Sequence, residues 1–292
     1  LGEANCIQGI GDIALARSDH EAAQQRYEQA LILFRKDGSV QGEAHCLWSL
    51  GNVALERSNH DAAQQFYEQA ALLFFQIGSV WGEANCIARI GDMALMRFDY
   101  ETARQYHEQA LPLFLQVSNV WGEARCIKSL ANIALECSDH KTARLRFEQA
   151  LSLFRQTGDL VGEANCTRGI GDIALARSEY EAAQQRYEQA MPVFRQVGSV
   201  LGEANCLKSL GEIALQGSDP EMARPRFEQA LALYERIPEP YAIGRAHALL
   251  AQVALDEGEQ RQHIQEARKA WISLGFDHLV QQLDTEFGVT KK

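Results

Sequence analysis

A glycine-rich string is the first pattern in this chain that could carry chemistry. The string GIGDIA occurs over Gly9–Ala14 and returns over Gly169–Ala174, and both copies read GxGxxA. In a dinucleotide-binding site, such a string follows a strand and opens a helix. Here it lies inside an apolar pattern of helical period. We therefore expect these glycines to serve helix packing, and we predict no cofactor.

Histidines and nucleophiles are the second source of candidate chemistry. His107-Glu108 begins an HExxH pattern, but Leu111 stands where the second histidine would be needed for a zinc protease. The chain contains an internal repeat, and His107 stands at a position where its other copies have an aromatic residue. This favours a core position for His107. No Ser/His/Asp or Cys/His set, phosphate-binding loop or carboxylate pair stands out. The sequence predicts a protein that is not an enzyme and has no metal site.

Seven cysteines suggest disulfides or metal until their spacing is considered. Neighbouring repeats lie roughly 10 Å apart by helix-packing distances, whereas a disulfide needs Cα atoms within about 7 Å. The close pairs typical of metal sites are absent. We expect small buried thiols in a reducing cytoplasm, with Cys137 as the exposed exception. Six recur every 40 residues: Cys6, Cys46, Cys86, Cys126, Cys166 and Cys206.

These patterns are positioned by a repeat of 40 residues. The copies that start at Gly2 and Gly162 agree at 30 of 40 positions. A period in this range indicates a solenoid built from one supersecondary unit. The predicted repeats span about 2–41, 42–81, 82–121, 122–161, 162–201 and 202–241, followed by a degenerate copy over 242–275.

Each repeat contains two amphipathic helical patterns, which we name helix A and helix B. The tight turn between them ends in Asp19 in the first copy, a good N-cap for helix B. Gly38 is typical of the position just after a helix. Gly11 lies in the middle of helix A at a cost of about 1 kcal/mol relative to alanine, which predicts a close approach of helices A and B. The aromatic ring at Phe34 is predicted to fill the layer between repeats.

The repeat resembles the tetratricopeptide repeat. In helix A the resemblance rests on Ile7, Ile10, Gly11 and Ala14, and in helix B on Ala23, Tyr27 and Ala30. It implies an all-α, right-handed α-solenoid of about seven helix-turn-helix units over residues 1–292, with a capping helix over 276–287. The period departs from the usual 34 residues. It is similar to the long repeats of LGN/Pins-type adaptors, kinesin light chains, and bacterial regulators or signalling ATPases.

The resemblance also implies a concave groove lined by helix A. Positions 5, 8, 12 and 15 of the first copy fall on one helical face, and their equivalents form ladders of polar and Leu residues. We expect Trp48 to be the strongest single contact there. The predicted groove residues are Asn5, Asp12, His45, Trp48, Asn52, Asn85, Arg89, Asp92, Arg125, Lys128, Asn132, Asn165, Arg168, Asp172, Asn205, Lys208 and Glu212.

Charge and context limit the partners. A net charge of −11 disfavours nucleic acid, which needs a concentrated basic face, and no apolar run suits a membrane span. The leading hypothesis is a scaffold that holds an extended, partly basic polypeptide in the groove. The alternative is the sensor or autoinhibitory repeat region of a larger signalling ATPase or transcriptional regulator. The first repeat has no cap, which predicts end-to-end self-association.

Overall fold

The computed structural model describes residues 1–237 and 239–288, which form helices and no strand. Consecutive helices pack in pairs, so the predicted all-α helical repeat solenoid is confirmed. The described helices are α1 Gly2–Ala16, α2 His20–Asp37, α3 Val40–Glu56, α4 His60–Gln76, α5 Val80–Met96, α6 Tyr100–Gln116, α7 Val120–Glu136, α8 His140–Thr157, α9 Leu160–Ala176, α10 Tyr180–Gln196, α11 Val200–Gln216, α12 Pro220–Arg236, α13 Pro240–Gln252, α14 Glu257–Ile272 and α15 Asp277–Glu286.

The helices belong to two compact units. The first unit, Leu1–Thr157, contains α1 to α8 and therefore repeats 1 to 4. The second unit begins at Gly158 and contains α9 to α15, that is, repeats 5 to 7 and one additional helix. Odd-numbered helices up to α13 are helix A of their repeat, and even-numbered ones are helix B.

The turn between helix A and helix B has the same backbone conformation in each of the first six repeats. Asp19 is the N-cap of α2, and its carboxylate accepts a hydrogen bond from the Ala22 backbone N–H at 3.1 Å. The preceding residue, Ser18, has a positive φ of 58°. Left-handed backbone is uncommon for a residue with a side chain, yet each of the first six repeats uses it here. The residues with positive φ are Ser18, Ser58, Phe98, Ser118, Ser138, Ser178 and Ser218, of which Ser118 lies between α6 and α7.

Two aromatic rings per repeat explain the glycines of helix A. A Cβ added to Gly11 would lie 2.8 Å from the Tyr27 ring of the same repeat. A Cβ on Gly42 would lie 2.2 Å from the Phe34 ring of the preceding repeat. The predicted close approach of helices A and B is therefore confirmed, as is the role of Phe34 between repeats.

The seventh repeat departs from the others in its first helix. The sequence predicts helix A over Ala242–Glu257, but α13 ends at Gln252. Asp256 instead takes an extended conformation and caps α14, with its carboxylate accepting from the Glu259 N–H at 2.9 Å. A residue that caps the following helix cannot continue the preceding one, which is why this helix is shorter than predicted.

The cysteine prediction is confirmed for all but one of the periodic positions. Five periodic thiols are buried, Cys137 is exposed as expected, and Cys6 is exposed. Cys6 differs because it lies on α1, whose outer side is not covered by a helix of a preceding repeat. Burial raises the pKa of Cys46, Cys86, Cys126 and Cys206 to about 12.

Candidate functional site

The predicted groove residues lie on one face of each helix A, which we call the helix-A face. In the first two repeats, part of this face is already bonded to the protein itself. The Tyr27 hydroxyl donates to Asp12 Oδ1 and the Tyr67 hydroxyl donates to Asn52 Oδ1, both at 2.8 Å. Asn52 is also buried. One oxygen of each predicted ligand-binding residue therefore anchors helix B to helix A.

Repeat 3 has a histidine where the tyrosine would be. His107 is fully buried, and its Nε2 lies 3.5 Å from Asp92 Oδ1. Neither ring nitrogen forms a hydrogen bond. Burial lowers the pKa of His107 to about 4; Asp92 opposes this shift, while Arg125 and Lys128 add to it. The side chain is consequently neutral at neutral pH, as a core histidine would be.

Trp48 and Asn132 are two predicted contacts of the first unit whose side chains form no hydrogen bond with another described residue. The Trp48 indole Nε1 is buried without a hydrogen-bond partner. Asn132 is half-buried, and no hydrogen bond to another described residue uses its amide. Its helix-B counterpart is Phe147, which has no hydroxyl to donate. A polar ligand group at Asn132 would therefore compete with no internal bond.

The basic residues of the first unit are held close to other side chains. Arg89 Nη2 donates to Asn52 Oδ1 at 3.4 Å. The Arg125 guanidinium lies over the Trp121 ring, 5.2 Å from its centroid, while two of its nitrogens form no hydrogen bond. Lys128 is half-buried on the same helix. These residues supply positive charge at the helix-A face of repeats 3 and 4.

The remaining predicted residues of the first unit lie near the start of helix A. Asn5 is exposed, and Asn85 Nδ2 donates to the Trp81 carbonyl at 2.8 Å. The His45 ring contacts the Phe74 ring edge-on, with centroids 5.1 Å apart. These contacts assign Asn85 and His45 a local structural role.

The second unit contains a depression on the helix-A face. This pocket, which we call the α9–α13 pocket, has a volume of about 470 Å³. Its apolar floor comes from Leu175, Leu215 and Leu249, one residue from each of α9, α11 and α13. Its polar rim includes Ser178, Tyr180, Glu212, Gln216, Arg245 and Gln252.

Glu212 is the predicted groove residue that lines this pocket. It pairs with Lys208 at 3.4 Å along its own helix and with Arg245 at 3.2 Å across to α13. All three side chains keep part of their surface exposed, and Arg245 is the most exposed of them at 43%. The pocket can therefore offer a carboxylate, a guanidinium and amide groups to one ligand above an apolar floor.

Other predicted residues of the second unit are occupied internally. Asp172 accepts from the Tyr187 hydroxyl at 2.8 Å and from Arg168 Nη1 at 2.6 Å. The Asn205 side chain accepts from the Tyr234 hydroxyl at 2.7 Å. Asn165 donates to the Val161 carbonyl at 2.9 Å. These residues stabilise the repeats that shape the pocket.

Sequence reasoning missed Arg245 and Gln252. They are the seventh-repeat equivalents of Asn5 and Asp12, so the same register, extended by one copy, contains them. The degenerate sequence of that copy hid the correspondence. Among residues 1–237 and 239–288, no cluster of three or more His, Cys, Asp or Glu side chains could hold a metal ion. In the same ranges, no helix has the length and apolar character needed to cross a bilayer.

A family model described as tetratricopeptide repeat matches residues 3–73, 123–196 and 163–236, more than half of the chain. The chain belongs to the tetratricopeptide repeat family. No relative among curated proteins matches it at a significant level.

Solved structures of this family share the fold at low identity. Aspartyl phosphate phosphatase F from Bacillus subtilis is 14% identical, with a TM-score of 0.68 over 90% of this chain and 71% of that one. A Rap protein complexed with competence and sporulation factor is 10% identical, with a TM-score of 0.67 over 98% and 99%. A signal transduction ATPase with a tetratricopeptide repeat sensor, from Pyrococcus horikoshii, is 14% identical, with a TM-score of 0.68 over 97% and 44%.

Proposed function

We propose that this tetratricopeptide repeat protein is a non-catalytic scaffold that binds a polypeptide on its helix-A face. The α9–α13 pocket is the observation that carries the proposal. It combines an apolar floor with the Glu212–Arg245 pair and two glutamine amides, and ligand-binding pockets use such a combination of apolar walls with a few polar groups. A chain with both basic and acidic side chains would match the two charges of the rim.

The solved structures support a polypeptide ligand. One of them is a Rap protein complexed with competence and sporulation factor. Aspartyl phosphate phosphatase F is named as a phosphatase, and that activity belongs to that protein. For the present chain, we infer binding without catalysis, because the sequence shows no catalytic pattern such as a Ser/His/Asp or Cys/His set. A cytoplasmic location stays a prediction that rests on the free thiols.

A random 16-residue peptide library, selected on the wild-type protein, tests the scaffold hypothesis. We expect selected peptides to bind Glu212→Gln/Gln252→Ala about tenfold more weakly, because partly buried polar contacts would be lost. The matched control is Gln184→Ala/Gln189→Ala on helix B of repeat 5, which should bind like wild type. Fluorescence anisotropy gives the Kd values. Equal affinity of both variants would contradict binding at the α9–α13 pocket.

The alternative is a sensor or autoinhibitory repeat region of a larger signalling ATPase or transcriptional regulator. It is favoured by the likeness to the ATPase with a repeat sensor, of which this chain covers 44%. In that case the helix-A face would bind another domain of the same protein. The selection experiment would then yield peptides that compete with such a domain for the same pocket.

Self-association through the first repeat is a separate proposal. Ile10 and Ile13 on α1 are 47% and 55% exposed, whereas Leu50 and Val53, at the same positions of repeat 2, are 2% and 1% exposed. Exposed apolar surface of this kind favours association with a second copy. We expect Ile10→Gln/Ile13→Gln to lower the concentration-dependent mass measured by light scattering. A monomer mass for the wild-type protein at all concentrations would contradict the proposal.

A further inference from the structure

A second depression lies away from the helix-A face, within the first unit. It is formed by helices α4 and α6 with α5 between them, and we call it the α4–α6 pocket. Its volume is about 270 Å³, smaller than the roughly 300 to 1,000 Å³ of small-molecule sites. The walls include Ala71, Leu72, Phe75, Ile87 and Tyr106. A space of this size fits a side chain or two from a protein partner.

The pocket exists because repeat 2 departs from the repeat pattern at position 71. Ala71 stands where every other full repeat has a large apolar residue. In repeat 1 the equivalent Leu31 is buried, with 7% of its surface exposed. The smaller alanine leaves that volume empty in repeat 2. The other residues at this position are Leu31, Leu111, Leu151, Met191 and Leu231.

A second departure removes a positive charge from the same place. Phe75 stands where repeats 1 and 5 have Arg35 and Arg195. In those repeats, Arg35 Nε lies 2.7 Å from Glu43 Oε1, and Arg195 Nε lies 2.6 Å from the equivalent Glu203. The arginine therefore neutralises a half-buried glutamate of the following helix A.

Glu83 is the equivalent glutamate in repeat 2, and it has lost its arginine. It lines the α4–α6 pocket and is half-buried. No hydrogen bond or ion pair with another described residue satisfies its carboxylate. Burial accordingly raises the pKa of Glu83. A half-buried carboxylate without a partner has lost part of its hydration, so a cation brought by a ligand would be stabilised there.

The rim of the pocket offers apolar contact area beside this charge. Leu72 and Phe75 are 69% and 70% exposed. Glu68 adds a second negative charge to the lining. Two carboxylates beside exposed apolar side chains are unsuited to an anionic membrane surface, and they complement a basic, amphipathic peptide.

We propose that the α4–α6 pocket is a second docking site, for a polypeptide segment that places Arg or Lys beside a large apolar side chain. The cation takes the place that Arg35 and Arg195 occupy in their own repeats, against Glu83. The apolar side chain fills the volume that Leu31 occupies in repeat 1. Repeats 1 and 5 thus show, within the same chain, the chemistry that completes the site.

The test uses a variant that fills the pocket with the residues of repeat 1. Ala71→Leu/Phe75→Arg should fold, because the same pair already packs at positions 31 and 35. Peptides are selected on wild type from a random 16-residue library. Those that bind the α4–α6 pocket should be enriched in Arg or Lys next to Leu, Met or Phe. Their Kd, measured by fluorescence anisotropy, should rise about tenfold or more in the filled variant. Glu83→Gln should weaken them severalfold.

Three outcomes would overturn the proposal. Every selected peptide could bind the filled variant as well as wild type, or the peptides lost on filling could lack basic residues. Alternatively, wild type could dimerise and Ala71→Leu/Phe75→Arg could abolish the dimer, which would make a second copy the occupant. Glu212→Gln/Gln252→Ala is the control for the helix-A face. It should leave binding at the α4–α6 pocket unchanged, so the two sites succeed or fail separately.

Discussion

Repeats 5 and 6 of the second unit share one helical plan but use the same helix-A position differently. In repeat 5, Asp172 accepts hydrogen bonds from Tyr187 and Arg168. In repeat 6 the helix-B aromatic residue is Phe227, which has no hydroxyl, and Glu212 instead lines the α9–α13 pocket. In this pair of repeats, a helix-A side chain opposite a tyrosine is bonded to helix B, whereas one opposite a phenylalanine is not.

The first unit follows the same rule. Tyr27 and Tyr67 hold Asp12 and Asn52, whereas Phe147 leaves Asn132 without an internal bond. Repeat 3 lies between these cases, because His107 faces Asp92 at 3.5 Å without a hydrogen bond. The polar ladder predicted from the sequence is thus divided into residues bonded to helix B and residues without such a bond.

The largest expected effect comes from converting repeat 3 to the tyrosine type. His107→Tyr should raise the free energy of unfolding, because a hydroxyl would donate to Asp92 and two unsatisfied buried nitrogens would be lost, each at a cost of about 1 to 3 kcal/mol. Gly91 leaves room for the ring, as Gly51 does opposite Tyr67. Urea unfolding at neutral pH measures the gain.

A lower pH should increase the difference in the free energy of unfolding between wild type and His107→Tyr. The pKa of His107 is lowered to about 4 in the folded protein, against about 6.5 in the unfolded chain, so the unfolded state binds more protons between these values. Wild type should therefore lose up to about 1.4 kcal/mol per pH unit as pH falls through that window. His107→Phe, which removes the titrating group without adding a hydroxyl, should also lack this contribution. Parallel curves for all three proteins would contradict the assignment.

A smaller effect is expected from converting repeat 5 to the phenylalanine type. Tyr187→Phe removes a hydrogen bond to a carboxylate and should lower the free energy of unfolding by about 1.5 to 3 kcal/mol. The matched control is Tyr67→Phe, where the acceptor is the neutral amide of Asn52 and the loss should be about 1 kcal/mol. Urea unfolding compares the two. An equal or smaller loss at Tyr187 would show that the charge of Asp172 does not strengthen the bond.

The sequence was sufficient to predict the helices and the contacts that every copy shares. The 40-residue period gave the helix pairs, and the recurring glycines predicted the close packing seen between Gly11 and Tyr27. The period did not distinguish the predicted groove residues that form a hydrogen bond with helix B from those that do not. Asp12 and Asp172 belong to a ladder with Asn132 and Glu212, and only the aromatic residue 15 positions later distinguishes them. The pairing becomes evident once the two helices are placed side by side.

The residues of repeat 2 that differ from the repeat pattern and form the α4–α6 pocket were harder to predict for a different reason. Ala71 and Phe75 are unremarkable apolar residues in a helix, and their meaning depends on what the missing Leu and Arg contact in other copies. The seventh repeat posed the opposite problem, since its degenerate sequence concealed Arg245 and Gln252 at regular positions.

The buried cysteines give this protein a set of internal reporters. Cys46, Cys86, Cys126, Cys166 and Cys206 each lie inside a different repeat, and a buried thiol reacts with alkylating reagents only after its surroundings open. Cys6 and Cys137 are exposed and would react first. The rate at which each remaining thiol is modified would therefore measure how often its own repeat opens, without any added probe. The 40-residue period therefore places one buried thiol, which reports local opening, in each of five repeats.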